Sequence, residues 1–156
     1  MAGKVIITCA LTGSGHTPSM SPYLPYTVSD VVDQGVAAAE AGAAVLHLHA
    51  RNPEDGSPSP DAALFAEYAK GIKARSDVVV SFSTGGGTGM TPAERLQPVL
   101  ELKPELCTLN LGTMNYGSFP MIDRYKGRFK YDWESRTWSP PGPSRSCPPM
   151  RTSSTC

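Results

Sequence analysis

The sequence predicts an α/β fold of parallel βα units, spaced as in a doubly wound open sheet or in a (β/α)8 barrel. Three observations carry that prediction. Nearly continuous apolar, β-rich runs recur along the chain, as expected for strands covered on both faces. Helix-period segments with N-terminal capping signals separate them, the order that a parallel sheet with crossover helices requires. The repeat is roughly thirty residues per unit, and a closed barrel needs about 250 residues, so a chain of 156 residues has room for half a barrel.

Each element has its own warrant. Residues 4–11 (KVIITCAL) read as a fully buried first strand. Thr27 and Asp30 resemble a capping box, after which Val32, Val36 and Ala39 fall on one helical stripe that stops at Gly42. Residues 44–50 form the second strand. Ser59 and Pro60 are read as N-cap and N1 of the next helix, which carries Leu64, Phe65, Tyr68, Ala69 and Ile72 on its apolar side. Residues 77–83 (DVVVSFS) are the third strand. Thr91-Pro92-Ala93-Glu94 is a capping box with proline at N1, opening a helix with Leu96, Val99 and Leu100 that Pro98 is expected to kink or split. Residues 106–111 are the fourth strand, and a short helix is expected near residues 119–125.

The pattern breaks after Glu134. Residues 135–156 hold five prolines, six serines and no acidic residue, a composition that cannot bury enough apolar surface to fold. The expected organisation is therefore a partial α/β domain over residues 1–134 and a disordered Pro/Ser-rich tail over 135–156. The tail reads either as an ordinary disordered segment or as the product of a frameshift.

Formal net charge is zero, which gives no electrostatic case for a nucleic acid or an anionic membrane as partner. No segment reads as a signal peptide or a transmembrane helix. The four cysteines form no CxxC pair and suit a reducing, cytoplasmic setting.

Two constellations carry chemistry. His47 and His49 lie two apart at the end of an apolar run, so a strand period places both imidazoles on one face, with Val45, where they can hold one metal ion. The C-terminal end of a parallel strand is where α/β folds place their ligands, and zinc is the expected ion. The second constellation is residues 81–91 (SFSTGGGTGMT), a strand running through a glycine-rich loop into a helix N-terminus. Thr84, Gly85 and Gly87 belong to this expected anion-binding loop, whose backbone N–H groups can converge on a carboxylate or phosphate. Its glycine spacing matches neither a P-loop nor GxGxxG. Thr108 and Asn110 alternate along the fourth strand and share a face, where they can hydrogen-bond a substrate oxygen or satisfy local backbone. His16 reads as a loop residue.

The stretches ITCALTG, HTPSMSPYLPYT, AGAAVLHLHAR, STGGGTGMTPAERLQP, LNLGTMNYG and FPMIDRYK, in this order over about residues 4–134, resemble the β-keto acid cleavage enzymes, with the 3-keto-5-aminohexanoate cleavage enzyme as prototype. The resemblance implies the N-terminal half of a TIM-type (β/α)8 barrel. It also implies zinc held by His47 and His49 together with a glutamate from late in the family's chain. Ser83, Gly86 and Thr108 match substrate-contacting positions, Asn110 stands where the prototype has an aspartate, and Gly15 stands where it has a glutamate that holds the substrate's amino group.

The implied reaction is acyl exchange, in which a β-keto acid and acetyl-CoA give acetoacetate and a new acyl-CoA, with zinc as the Lewis acid. The family's proton-transfer residues lie in its second barrel half, so the catalytic residues are not identified within the stretch that carries the resemblance, and activity of this chain is expected to be impaired. The alternatives are a metal-dependent barrel hydrolase and a non-catalytic metal-binding half-barrel. Open sheet edges lead us to expect a homo-oligomer.

Overall fold

Four parallel strands in sequential order β1-β2-β3-β4 form the sheet of the computed structural model, which describes residues 3–87, 89–109 and 120–138. The strands are β1 (Thr8–Ala10), β2 (Val45–Leu48), β3 (Val79–Phe82) and β4 (Leu106–Cys107). Between them run α1 (Val28–Glu40), α2 (Ala62–Lys73) and α3 (Pro92–Leu102), and α4 (Pro120–Tyr125) and α5 (Asp132–Trp138) follow. This is a partial TIM-type (β/α) arrangement.

The register fixes which residues share a face. Ala10 pairs with His47 and His47 with Ser81, while Cys9 pairs with Leu46 and Leu46 with Val80. Pleating therefore sorts the sheet into a helix-facing row of Leu46, Leu48, Val80 and Phe82 and an opposite row that carries His47 and Ser81. The helix-facing row packs with Val31, Phe65, Tyr68 and Ile72 into the core. Gly35 allows α1 and α2 to approach closely, since a Cβ there would lie 3.1 Å from Ile72 Cδ1 and 3.2 Å from Leu46 Cδ1.

The capping signals place the helices well. Thr27 accepts a hydrogen bond from the Asp30 N–H, and Thr91 and Glu94 form a reciprocal capping box at α3. At α2 the N-cap is Asp61 rather than Ser59: its carboxylate accepts from Ala63 N at 2.8 Å, while Ser59 Oγ accepts from Asp61 N at 3.2 Å. Pro98 does not split α3, which continues through it to Leu102. A proline forfeits only one helical hydrogen bond, and here its ring is buried. Leu100 points away from the core and is exposed.

The first strand departs most from expectation. Only Thr8–Ala10 is strand, and Val5, Ile6 and Ile7 are exposed, because β1 is a sheet edge with one neighbour and cannot be covered as an interior strand is. The second departure is α5. Its last four residues lie beyond the boundary drawn at Glu134, and Trp138 is buried against Tyr125 and Phe129, with ring centroids 5.8 and 5.9 Å away.

Candidate metal centre and substrate loops

His47 lies within β2 and His49 one residue past its end. Pleating carries both to the face opposite the core, and their rings meet edge to face with centroids 5.1 Å apart. Both are partly buried. Burial lowers the His47 pKa, and it lowers that of His49 to about 4, aided by the charges of His47 and Arg51. Both imidazoles are therefore neutral at pH 7, the form that donates a lone pair to a metal. Ser81 Oγ sits 3.5 Å from His47 Nδ1, within reach to orient the ring, and Thr12 Oγ1 donates to the His49 carbonyl at 3.3 Å.

A pair of neutral nitrogen donors on a rigid strand end fits a borderline divalent cation such as zinc, with its other positions left open. Among the described residues no third His, Cys, Asp or Glu joins the two in a group of three.

The loop after β3 approaches from one side. Ser83 is buried, its N–H donates to Leu48 O, and its hydroxyl accepts from Gly85 N at 3.0 Å. Thr84 is buried and commits its hydroxyl to Thr108 O at 2.7 Å. Gly86 has φ +58°, a conformation glycine adopts without strain, and a Cβ there would meet Arg95 Cδ at 2.4 Å. Gly87 N is taken by Met90 Sδ at 3.1 Å. Two of the loop's N–H groups, those of Gly85 and Gly87, are thus satisfied internally. Thr108 extends the β4 pairing through its N–H to Phe82 O at 3.1 Å. Asn110 lies outside the described residues. The structure brings His49, Ser83 and Gly86 around one small cavity, together with Met90 and Arg95.

Residues that sequence reasoning passed over complete the surroundings. Arg51 is fully buried and donates to the carbonyls of Gly13, His16 and Gly56. Glu134, also fully buried, accepts from the N–H and hydroxyl of Ser19 and from Lys130 N and Tyr131 N. The one available signal was the placement of Arg51, two residues past His49 and so in phase with the histidines along an extended chain. His16 is exposed and contributes its carbonyl to Arg51.

Parallel βα units with a histidine pair at one strand end and a glycine loop beside it are the arrangement of a partial TIM-type domain. The chain matches the model of the beta-keto acid cleavage enzyme family over residues 4–138 and belongs to that family. It is 54% identical over 133 residues to the 3,5-dioxohexanoate:acetyl-CoA acetone transferase of Paraburkholderia graminis, covering 85% of this chain and 43% of that protein. It is 43% identical to a 3-keto-5-aminohexanoate cleavage enzyme of Fusobacterium nucleatum, covering 75% of this chain and 43% of the relative. A 3-dehydrocarnitine:acetyl-CoA trimethylamine transferase of Rhizobium meliloti is 38% identical over 74% of this chain and 45% of its own length. The chain spans less than half the length of these curated relatives. Among the described residues no helix is long and apolar enough to cross a membrane.

Proposed function

We propose that this chain carries the metal-binding and substrate-loop half of a zinc-dependent β-keto acid cleavage enzyme. The supporting observation is the neutral His47–His49 pair at the end of β2, beside Ser81 and the loop after β3. In the reaction the bond between the acyl carbonyl carbon and the CH2 of the β-keto acid breaks. A new bond joins that CH2 to the acetyl group of acetyl-CoA, giving acetoacetate, and the released acyl group leaves on the CoA thiol.

His47 and His49 would hold zinc, which as a Lewis acid stabilises the oxygen charge that develops when the carbon–carbon bond breaks or forms. Ser81 would orient the His47 ring, since an outer partner fixes a ligand imidazole. Ser83 and Gly86 would meet the substrate at the loop after β3, with Thr108 and Asn110 on the β4 side. Thr84, Gly85 and Gly87 would shape that loop, Thr84 by bonding Thr108. Gly15 supplies no carboxylate for an ammonium group, so a 3,5-dioxo acid, as in the name of the Paraburkholderia relative, is preferred over an amino-keto acid.

The full enzyme is expected to work in the cytoplasm as a homo-oligomer. Turnover is tested by supplying zinc, acetyl-CoA and a 3,5-dioxo or 5-amino-3-keto acid and following acetoacetate. Acetoacetate formed only with acetyl-CoA, and faster from the dioxo acid, supports the reading. Hydrolysis of ester or amide substrates without CoA would point to the metal-dependent hydrolase instead.

A further inference from the structure

Arg51 is the largest fully buried side chain among the described residues, and the proposed reaction does not use it. Its charge has no carboxylate partner, the ion pairs among the described residues being Lys73 with Glu105 and Arg75 with Asp33. Three backbone carbonyls take that place. Nη1 donates to Gly56 O at 2.6 Å, and Nη2 donates to Gly13 O at 2.7 Å and His16 O at 2.8 Å. Gly13 and His16 lie in the loop after β1 and Gly56 in the loop after β2, so one planar group ties two loops together. Gly13 and Gly56 adopt φ +62° and +72°, and the loops also touch directly, since a Cβ on Gly56 would lie 2.8 Å from Pro18 Cγ.

The same two loops are held a second time by α5 and by Tyr131 just before it. Trp138 Nε1 donates to Gly15 O at 3.4 Å, and Glu134 takes Ser19 N and Oγ at 3.1 and 3.0 Å. Trp133 Nε1 donates to Asp55 O at 3.2 Å, and Tyr131 O–H to Glu54 O at 3.3 Å. The fork also sits next to the metal pair: Arg51 is two residues past His49, its own carbonyl accepts from Tyr68 O–H at 3.3 Å, and Thr12 beside Gly13 grips the His49 carbonyl. A buried cation without a counter-ion is costly, and an apolar side chain of similar size would fill the space at lower cost. A fork that reaches two loops at once is what arginine supplies and lysine does not.

We propose that Arg51 is a positioning residue for the histidine site: it locks the loops after β1 and β2 into one wall, with α5 as the outer brace, and so holds His49 in place. The proposal rests on His47 and His49 being metal ligands, and its test separates the two ideas. Amide hydrogen exchange of the full chain reads the loops through Ser19, Met20, Asn52 and Gly56, whose N–H groups are hydrogen-bonded, and the sheet through Leu48 and Val80. In the wild type the loop amides are expected to be protected to a degree comparable with the sheet; exchange at free-peptide rates would overturn the proposal without any variant. Arg51→Lys keeps the charge and loses the fork, so the loop amides should exchange at least about tenfold faster while the sheet amides hold their protection. Loop protection that is unchanged, or lost equally with the sheet, would overturn it.

Cobalt(II) gives the site readout. Arg51→Lys should bind it roughly tenfold or more weakly, with an altered visible spectrum although both histidines are intact. Loosened loops with wild-type cobalt affinity and spectrum would overturn the positioning role. A wild type that takes up no cobalt overturns the metal reading and with it this role for Arg51, while the exchange data still show whether the loops are locked.

Discussion

At His47 and His49 the physics is that of two imidazoles kept neutral by burial and placed edge to face by the strand period. Replacing either by alanine should weaken zinc binding by more than the roughly 10–100-fold that loss of an outer partner causes, whereas Ser81→Ala should stay within that range. A competition titration against a chromophoric chelator measures both, and equal effects at the three positions would contradict the assignment. Gly86 is under a different constraint. Its φ of +58° and the nearness of Arg95 leave no room for a side chain, so Gly86→Ala should cost about 1–2 kcal/mol of stability, read as a lower urea midpoint.

Among the elements, α3 shows how local sequence and stability connect. Thr91 and Glu94 satisfy each other's backbone N–H groups at the helix start, so Thr91→Ala should destabilise the protein by about 1 kcal/mol, checked by urea denaturation. The same contacts set a pH dependence. Hydrogen bonds from the Thr91 backbone and hydroxyl hold the Glu94 carboxyl below its ordinary 4.5, so the folded state binds the proton less readily than the unfolded chain. The contribution of Glu94 is complete above pH 4.5 and is lost as pH falls through the lower folded value. Glu94→Gln should remove that part of the acid limb, and an unchanged limb would contradict the capping role.

The three long helices, the parallel character of the sheet and the shared face of the histidines were legible in the sequence, because caps and periodicity are local signals. The exposed β1 was not legible, since an apolar run does not reveal how many neighbours a strand will have. Neither was α5, whose seven residues (DWESRTW) are too few for a period to emerge and run into a Ser/Pro-rich composition. Its role depends on Glu134 meeting Ser19, 115 residues away in sequence, and no local pattern encodes that contact.

For the molecule as a whole, β1 and β4 are the two edges of the sheet among the described residues, with Val5 84%, Ile6 75% and Leu109 64% exposed. Unpaired parallel edges flanked by apolar side chains drive association. The isolated 156-residue chain should show concentration-dependent self-association in sedimentation velocity, and a monomer at all concentrations would contradict this reading of the edges. The central claim concerns the histidine pair, and X-ray absorption at the zinc edge of the zinc-loaded chain tests it most directly. The account predicts two imidazole nitrogens at about 2.0–2.1 Å, absent from the His47→Ala/His49→Ala double variant. A zinc environment without imidazole scattering, or one identical in the double variant, would contradict it.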